Sequence, residues 1–183
     1  MKRTIVTLLA LGAFVVENSF DFVGSVPYFK RLTGGLGILD LLPLPDPERA
    51  HRALALLGAD GRHQYAILLV TFDVAFPLTL ALFFRAWLGN RLRWLPWTTL
   101  ALDYAENIAC GLLVATFPHE SAAVASLAGI LTALKFAGYS ACLVALALSA
   151  FSRPGRSIRP DEWLRPGAEA PLGTAPEYPL TGI

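Results

Sequence analysis

The chain has 183 residues, 55% of them apolar and 16% charged, with a formal net charge of +1. The length allows one domain, and a mean hydropathy of +0.52 points to a membrane rather than to water. A nearly neutral chain with no basic patch interleaved with aromatics excludes nucleic acid as a partner.

Lys2 and Arg3 precede an apolar run from Thr4 to Val16, which pauses at Glu17-Asn18-Ser19 and resumes to Val26, where Pro27 stops it. Read through, residues 4–26 are long enough to span, since about 20 residues at roughly 1.5 Å each cover a bilayer core. A cleavable signal peptide is the alternative reading of the charged start and short apolar core, although no small-x-small cleavage site follows.

Residues 27–64 form the one long connection. A flexible Gly34-Gly35-Leu36-Gly37 is followed by Leu41-Leu42-Pro43-Leu44-Pro45, which cannot be a helix. A short amphipathic helix follows, with Asp46 as N-cap, Pro47 at N1 and Gly58 just past its end. Its apolar face is Ala50, Ala53, Leu54 and Leu57, with Arg49 and Arg52 opposite, which suits the membrane surface or the mouth of a bundle. Asp60-Gly61 then reads as the turn into a second span over 65–87.

That span contains Asp73 and Pro77, four residues apart. Pro77 has no N–H for the carbonyl of Asp73, so a kink and a freed backbone oxygen beside an acid are expected. A tight connection leads to a third span over 95–117, opened by Pro96 and ended by Pro118. Trp87, Trp94 and Trp97 around that connection suit an interfacial aromatic belt. The fourth span, 122–150, contains Ala125 and Gly129, a small-residue pair that permits close helix approach. From Ser152 six prolines in a polar segment predict a disordered cytoplasmic tail over 152–183. The expected fold is an all-α membrane protein: a four-transmembrane-helix bundle over 1–151, with a short amphipathic helix in the first extracytoplasmic loop.

Orientation follows from the positive residues. Lys2, Arg3, Arg85, Arg91, Arg93, Arg153, Arg156, Arg159 and Arg165 fall on one side; Lys30, Arg31, Arg49, Arg52 and Arg62 fall on the other. The positive-inside rule then places both termini in the cytoplasm, with the chain in the inner membrane.

Asp103, Glu106 and Asn107 stand at i, i+3 and i+4 in the third run, so a helix puts them on one face. An acid at the bilayer centre costs roughly 2.5 kcal/mol or more on insertion scales, so two acids there require an explanation. Counting depth along each span brings Glu17, Asn18, Asp73 and Lys135 to nearly the same layer, with Asp21 nearer the outer face. Thr132, Lys135 and Tyr139 form a polar stripe at i, i+3 and i+7 in the fourth span. Five carboxyl groups face one lysine, expected to pair with Asp103 or Glu106. The remainder are protonated, hydrated or partnered by a bound cation.

Three functional readings follow. The ion- or ligand-binding candidates Glu17, Asn18, Asp73, Asp103, Glu106, Asn107, Thr132, Lys135 and Tyr139 suit a pocket that binds or passes a cation, a proton or a small polar ligand. Alternatively they form a purely structural polar core in a partner-binding membrane subunit. A lipid-modifying enzyme comes third, because no nucleophile–base pair, nucleotide-binding loop or metal-ligand spacing is present. No cofactor or metal is implied. His51, His63 and His119 fall in connections, and Cys110 and Cys142 lie in apolar runs without a Cys-x-x-Cys spacing. The partners implied are the lipid bilayer and a second copy or another membrane protein.

The string Leu57-Gly58-x-x-Gly61-Arg62-x-x-Tyr65, Asp73-x-x-Phe76-Pro77, Leu102-Asp103-x-x-Glu106-Asn107, Phe117-Pro118 and Thr132-x-x-Lys135-Phe136 resembles a group of small bacterial membrane proteins with four spans. The resemblance covers roughly residues 50–150. It implies architecture and carries over no catalytic residue.

Overall fold

The computed structural model describes residues 2–43, 45–88 and 92–151. The side chain of Glu17 and the proline-rich segment 152–183 lie outside the described residues. The described residues are helical with no strand: α1 (Lys2–Ser19), α2 (Val26–Leu32), a 3-10 turn (Leu39–Leu41), α3 (Pro47–Val70), α4 (Phe72–Trp87), α5 (Leu95–Thr116) and α6 (Ala122–Phe151). Two apolar stretches, Pro47–Trp87 and Ala122–Ser149, are long and apolar enough to cross a membrane, and Thr4–Val16 is a shorter apolar helix.

The first helix stops at Ser19 instead of running to Val26. Asn18 donates from Nδ2 to the Phe14 carbonyl at 3.0 Å in the last turn, the kind of local bond that competes with helix propagation. A new helix then starts on its own signals. Ser25 Oγ accepts from the backbone N–H of Tyr28 at 3.3 Å, and Pro27 sits in the first turn.

The long connection is therefore more structured than its glycines and prolines suggest. After α2, Thr33 Oγ1 donates to the Phe29 carbonyl at 2.8 Å and accepts from Gly37 N–H at 2.7 Å. That closes the glycine turn and sends Ile38, Leu39, Asp40 and Leu42 back into the interior, where all four are buried.

The cap of α3 is as expected: Asp46 Oδ1 accepts from Arg49 N–H at 3.0 Å. Its apolar face, Ala50, Ala53, Leu54 and Leu57, is buried and not exposed at a surface. It packs on Phe29, Ile38, Leu39, Tyr65 and Leu113 in the larger of two core clusters. Gly58 breaks the helix with φ +66° and ψ −177°, a region that only glycine occupies cheaply. The Leu54 carbonyl accepts from Arg62 Nη1 at 2.9 Å, and the guanidinium lies 4.0 Å from the centre of the Phe117 ring. Helix resumes at once, so Asp60-Gly61 is helical and not a turn. Gly61 is small for a reason, since a Cβ there would stand 3.2 Å from Leu32 Cδ1. Replacing Gly58 by Ala is expected to cost about 1 kcal/mol or slightly more through strain at this φ/ψ, read as a lower unfolding midpoint in detergent.

The expected second span is also divided. Thr71, at φ −115° and ψ −81°, ends α3 and precedes α4. The break falls there, while Pro77 sits inside α4. This puts Asp73 in the first turn of α4, where the positive end of the helix dipole favours an acid. The remaining helices, α5 and α6, follow the expected runs closely. A second, smaller cluster holds Phe84, Leu88 and Cys142. Cys110 and Cys142 are both buried and free.

The outside of these helices is apolar. Leu8, Leu9, Phe14 and Val16 of α1, Leu82 of α4, Ile108 and Leu112 of α5, and Leu134 and Leu148 of α6 are exposed. The inside carries polar groups, among them Asp73, Thr99, Asp103, Glu106, Asn107, Thr132 and Lys135.

Candidate functional site

The site is built where α5 meets α6, with α4 and α1 around it. On α5 the 3.6-residue period turns Asp103, Glu106 and Asn107 inward together, and all three are buried. On α6 the same period presents Thr132, Lys135 and Tyr139. The two stripes meet residue by residue. Lys135 Nζ donates to Glu106 Oε2 at 2.6 Å, and Thr132 Oγ1 donates to Glu106 Oε1 at 2.7 Å. One turn along, Tyr139 OH donates to Asp103 Oδ2 at 2.7 Å. Lys135 also stands 4.0 Å from Asp103 Oδ1. Glu106 is thus the lysine's direct partner and Asp103 its distant one.

Asn107 turns to α4 instead. Its Nδ2 donates to the Asp73 carbonyl at 2.8 Å, the oxygen that Pro77 leaves without a helical donor. Tyr104 OH donates to the next carbonyl, that of Val74, at 2.9 Å. Two side chains of α5 therefore satisfy the backbone that the proline disturbs.

A cavity of about 510 Å³ opens beside this cluster. Its polar end is made by Asp40, Asp73, Asp103, Lys135 and Tyr139; Phe14, Phe76, Phe83, Phe84, Phe136 and several leucines make the rest. Phe14 of α1 stacks on Phe76 of α4 with centroids 6.5 Å apart, so this wall is continuous between the two helices. Asn18 lines the cavity at its exposed rim.

Most of the expected residues thus come together: Asp73, Asp103, Glu106, Asn107, Thr132, Lys135 and Tyr139. Asn18 stays at the rim. Asp21 is outside the cluster, exposed and paired with Arg31. His51, His63 and His119 are exposed. His51 and His63 lie on α3 and not in loops, and His51 pairs with Glu120. Among the described residues no group of three or more His, Cys, Asp or Glu side chains is arranged to hold a metal ion.

One acid was missed by sequence reasoning. Asp40, in the 3-10 turn, is buried, lines the cavity and accepts from Tyr65 OH at 3.2 Å. The signal was present in Ile38-Leu39-Asp40-Leu41-Leu42, an acid inside an apolar run. Its neighbouring glycines and prolines argued for an external loop, and only the return of that loop to the interior makes Asp40 part of the site.

The cluster divides by chemistry. Both oxygens of the fully buried Glu106 are taken, by Lys135 and Thr132, in the α5–α6 contact. Asp40, Asp73 and Asp103 also border the cavity, with Lys135 as the one basic group among the described residues of its lining. Comparison with family models, with curated proteins and with solved structures finds no match for this chain.

Proposed function

We propose that the chain is a multi-pass inner-membrane protein whose four-span bundle encloses a carboxylate-rich pocket for a cation, a proton or a small polar ligand. In this reading α1, the second half of α3 with α4, α5 and α6 are the spans, and the positive residues set both termini in the cytoplasm. Large apolar side chains face outward on these helices while acids, amides and a lysine face inward. That is the reverse of a water-soluble helical protein and suits lipid as the solvent.

The observation that carries the binding reading is the cavity of about 510 Å³ with Asp40, Asp73 and Asp103 at its polar end. A volume of this size is typical of small-molecule sites. Lys135 is shared between Glu106 and the cavity acids, so Asp40 and Asp103 on the lining favour a proton or an entering cation as further balance. A structural reading is favoured for one part of the cluster only. In the Thr132–Glu106–Lys135 contact both oxygens of the buried Glu106 accept hydrogen bonds from α6, as expected of groups that hold α5 to α6.

Reconstituted protein tests the proposal. Sodium, potassium and proton movement are followed with dyes trapped in proteoliposomes, and methylammonium binding is measured by equilibrium dialysis. Wild-type protein is expected to bind or pass at least one of these saturably. Asp103→Asn is expected to lower that signal by about tenfold, the value of roughly one charge-assisted contact, while eluting as the same folded species. Equal signals from the variant, or from empty liposomes, would remove the binding reading.

A further inference from the structure

The cavity has a direction that its polar end alone does not reveal. Asp40, Asp73, Asp103 and Lys135 are 4–8% exposed, whereas Leu11, Phe14, Phe136 and Leu143 on the same lining are 40–57% exposed. The acids are therefore deep and the mouth, with Asn18 at one point of its rim, is mainly apolar, formed by side chains of α1 and α6. These are the helices with the most apolar outer surfaces, so in a bilayer the mouth opens sideways toward acyl chains.

A hydrated inorganic ion has no reason to enter by such a mouth, since stripping its water in an apolar passage is costly. A molecule already dissolved in the membrane enters freely. Its body must be apolar to match the phenylalanine walls, which also attract positive charge through their ring faces. A positive charge suits the carboxyl groups of Asp40 and Asp103 on the lining, since the ammonium beside them is already shared with Glu106. The ammonium of Lys135 is already engaged at 2.6 Å by Glu106 and is poorly placed to receive an anion.

We propose that the pocket takes a hydrophobic organic cation, an amine or onium group on an apolar body, admitted laterally from the lipid between α1 and α6. This rests on the pocket reading above and narrows it to one ligand class. The cationic group lies against Asp103 and Asp40, and the body lies among Phe76, Phe83 and Phe136.

The experiment uses full-length protein in phosphatidylcholine nanodiscs, with empty nanodiscs as background, and equilibrium dialysis of labelled tetraphenylphosphonium. The comparison ligands are tetraphenylborate, an anion of the same shape, and tetramethylammonium, a cation without the apolar body. Saturable binding of tetraphenylphosphonium at least about tenfold tighter than either is expected, because each comparison removes one of the two matched features. Asp103→Asn and Phe76→Ala, on different helices, should each weaken it several-fold, while the exposed Glu48→Gln should not. The selectivity among the three ligands is read on wild-type protein, so it holds as a test even where a variant fails to fold. Equal binding of tetraphenylborate overturns the charge assignment. Binding of tetramethylammonium, sodium or methylammonium as tight as that of tetraphenylphosphonium overturns the lateral, hydrophobic class but leaves the parent pocket reading standing. Absence of binding by every cation overturns both.

Discussion

Replacing Lys135 by Met is expected to destabilise the bundle by about 3 kcal/mol or more, the usual cost of leaving one member of a buried ion pair alone. The reason is local. Glu106 is fully buried and takes its two hydrogen bonds from Lys135 and Thr132. Loss of the ammonium leaves that carboxylate with one neutral donor and removes the one basic side chain among the cavity acids. Glu106→Gln should cost less, because Asp103, 4.0 Å from Nζ, remains as a second partner for the lysine. The double change Glu106→Gln with Lys135→Met should recover most of the loss, since neither buried charge then lacks its counterpart. Unfolding in detergent, followed by circular dichroism for all three variants, reads this cycle. Simple additivity of the two single losses would show that the pair does not act as a unit.

The second large effect is expected at Gly138, one turn from Lys135 on α6. A Cβ at this position would stand 2.5 Å from Thr99 Oγ1 and 3.0 Å from Thr99 Cγ2 on α5. Thr99 cannot swing away: it is fully buried, β-branched, and its hydroxyl donates to the Leu95 carbonyl at 3.0 Å. Alanine at 138 gains about 1 kcal/mol of helix propensity, but overpacking of this kind costs about 1–3 kcal/mol. Gly138→Ala should therefore be destabilising on balance. Gly138→Val, with more volume and poorer propensity, should lose about 3 kcal/mol. Thr99→Ala in the same chain should restore much of this by opening the space. Because the contact lies beside Lys135 and Tyr139, the substitution should also weaken cation binding, whereas the double variant should regain it. A Gly138→Val protein as stable as wild type would refute the close contact between α5 and α6.

The position of this contact is instructive. Ala125 and Gly129 are the small pair that the sequence advertises, and they do face inward. A close approach to a fixed neighbour also occurs at Gly138, about two and a half turns beyond Gly129 on α6. Small residues are common in apolar helices, and spacing alone does not say which of them meets a bulky, fixed neighbour.

What the sequence determined by itself was helical class, the limits of α5 and α6 and the polar stripes. Apolar runs long enough to span, the Asp46–Pro47 cap and the inward face shared by Asp103, Glu106 and Asn107 all follow from local chemistry and the 3.6-residue period. That period also put Thr132, Lys135 and Tyr139 in one row, so the meeting of the two stripes was half-written in the chain. Tertiary structure alone decided the rest. Whether Lys135 prefers Glu106 or Asp103 depends on the rotation and height of α6 against α5, which no single helix specifies. The partner of the carbonyl freed at Pro77 belongs to another helix, and Asn107 supplies it. Asp40 joins the cavity only because Thr33 and the glycines after it turn the connection back inward. The cavity itself is a property of how α1, α4 and α6 are spaced, and spacing between helices is set by side chains distant in the sequence, such as Gly138 against Thr99.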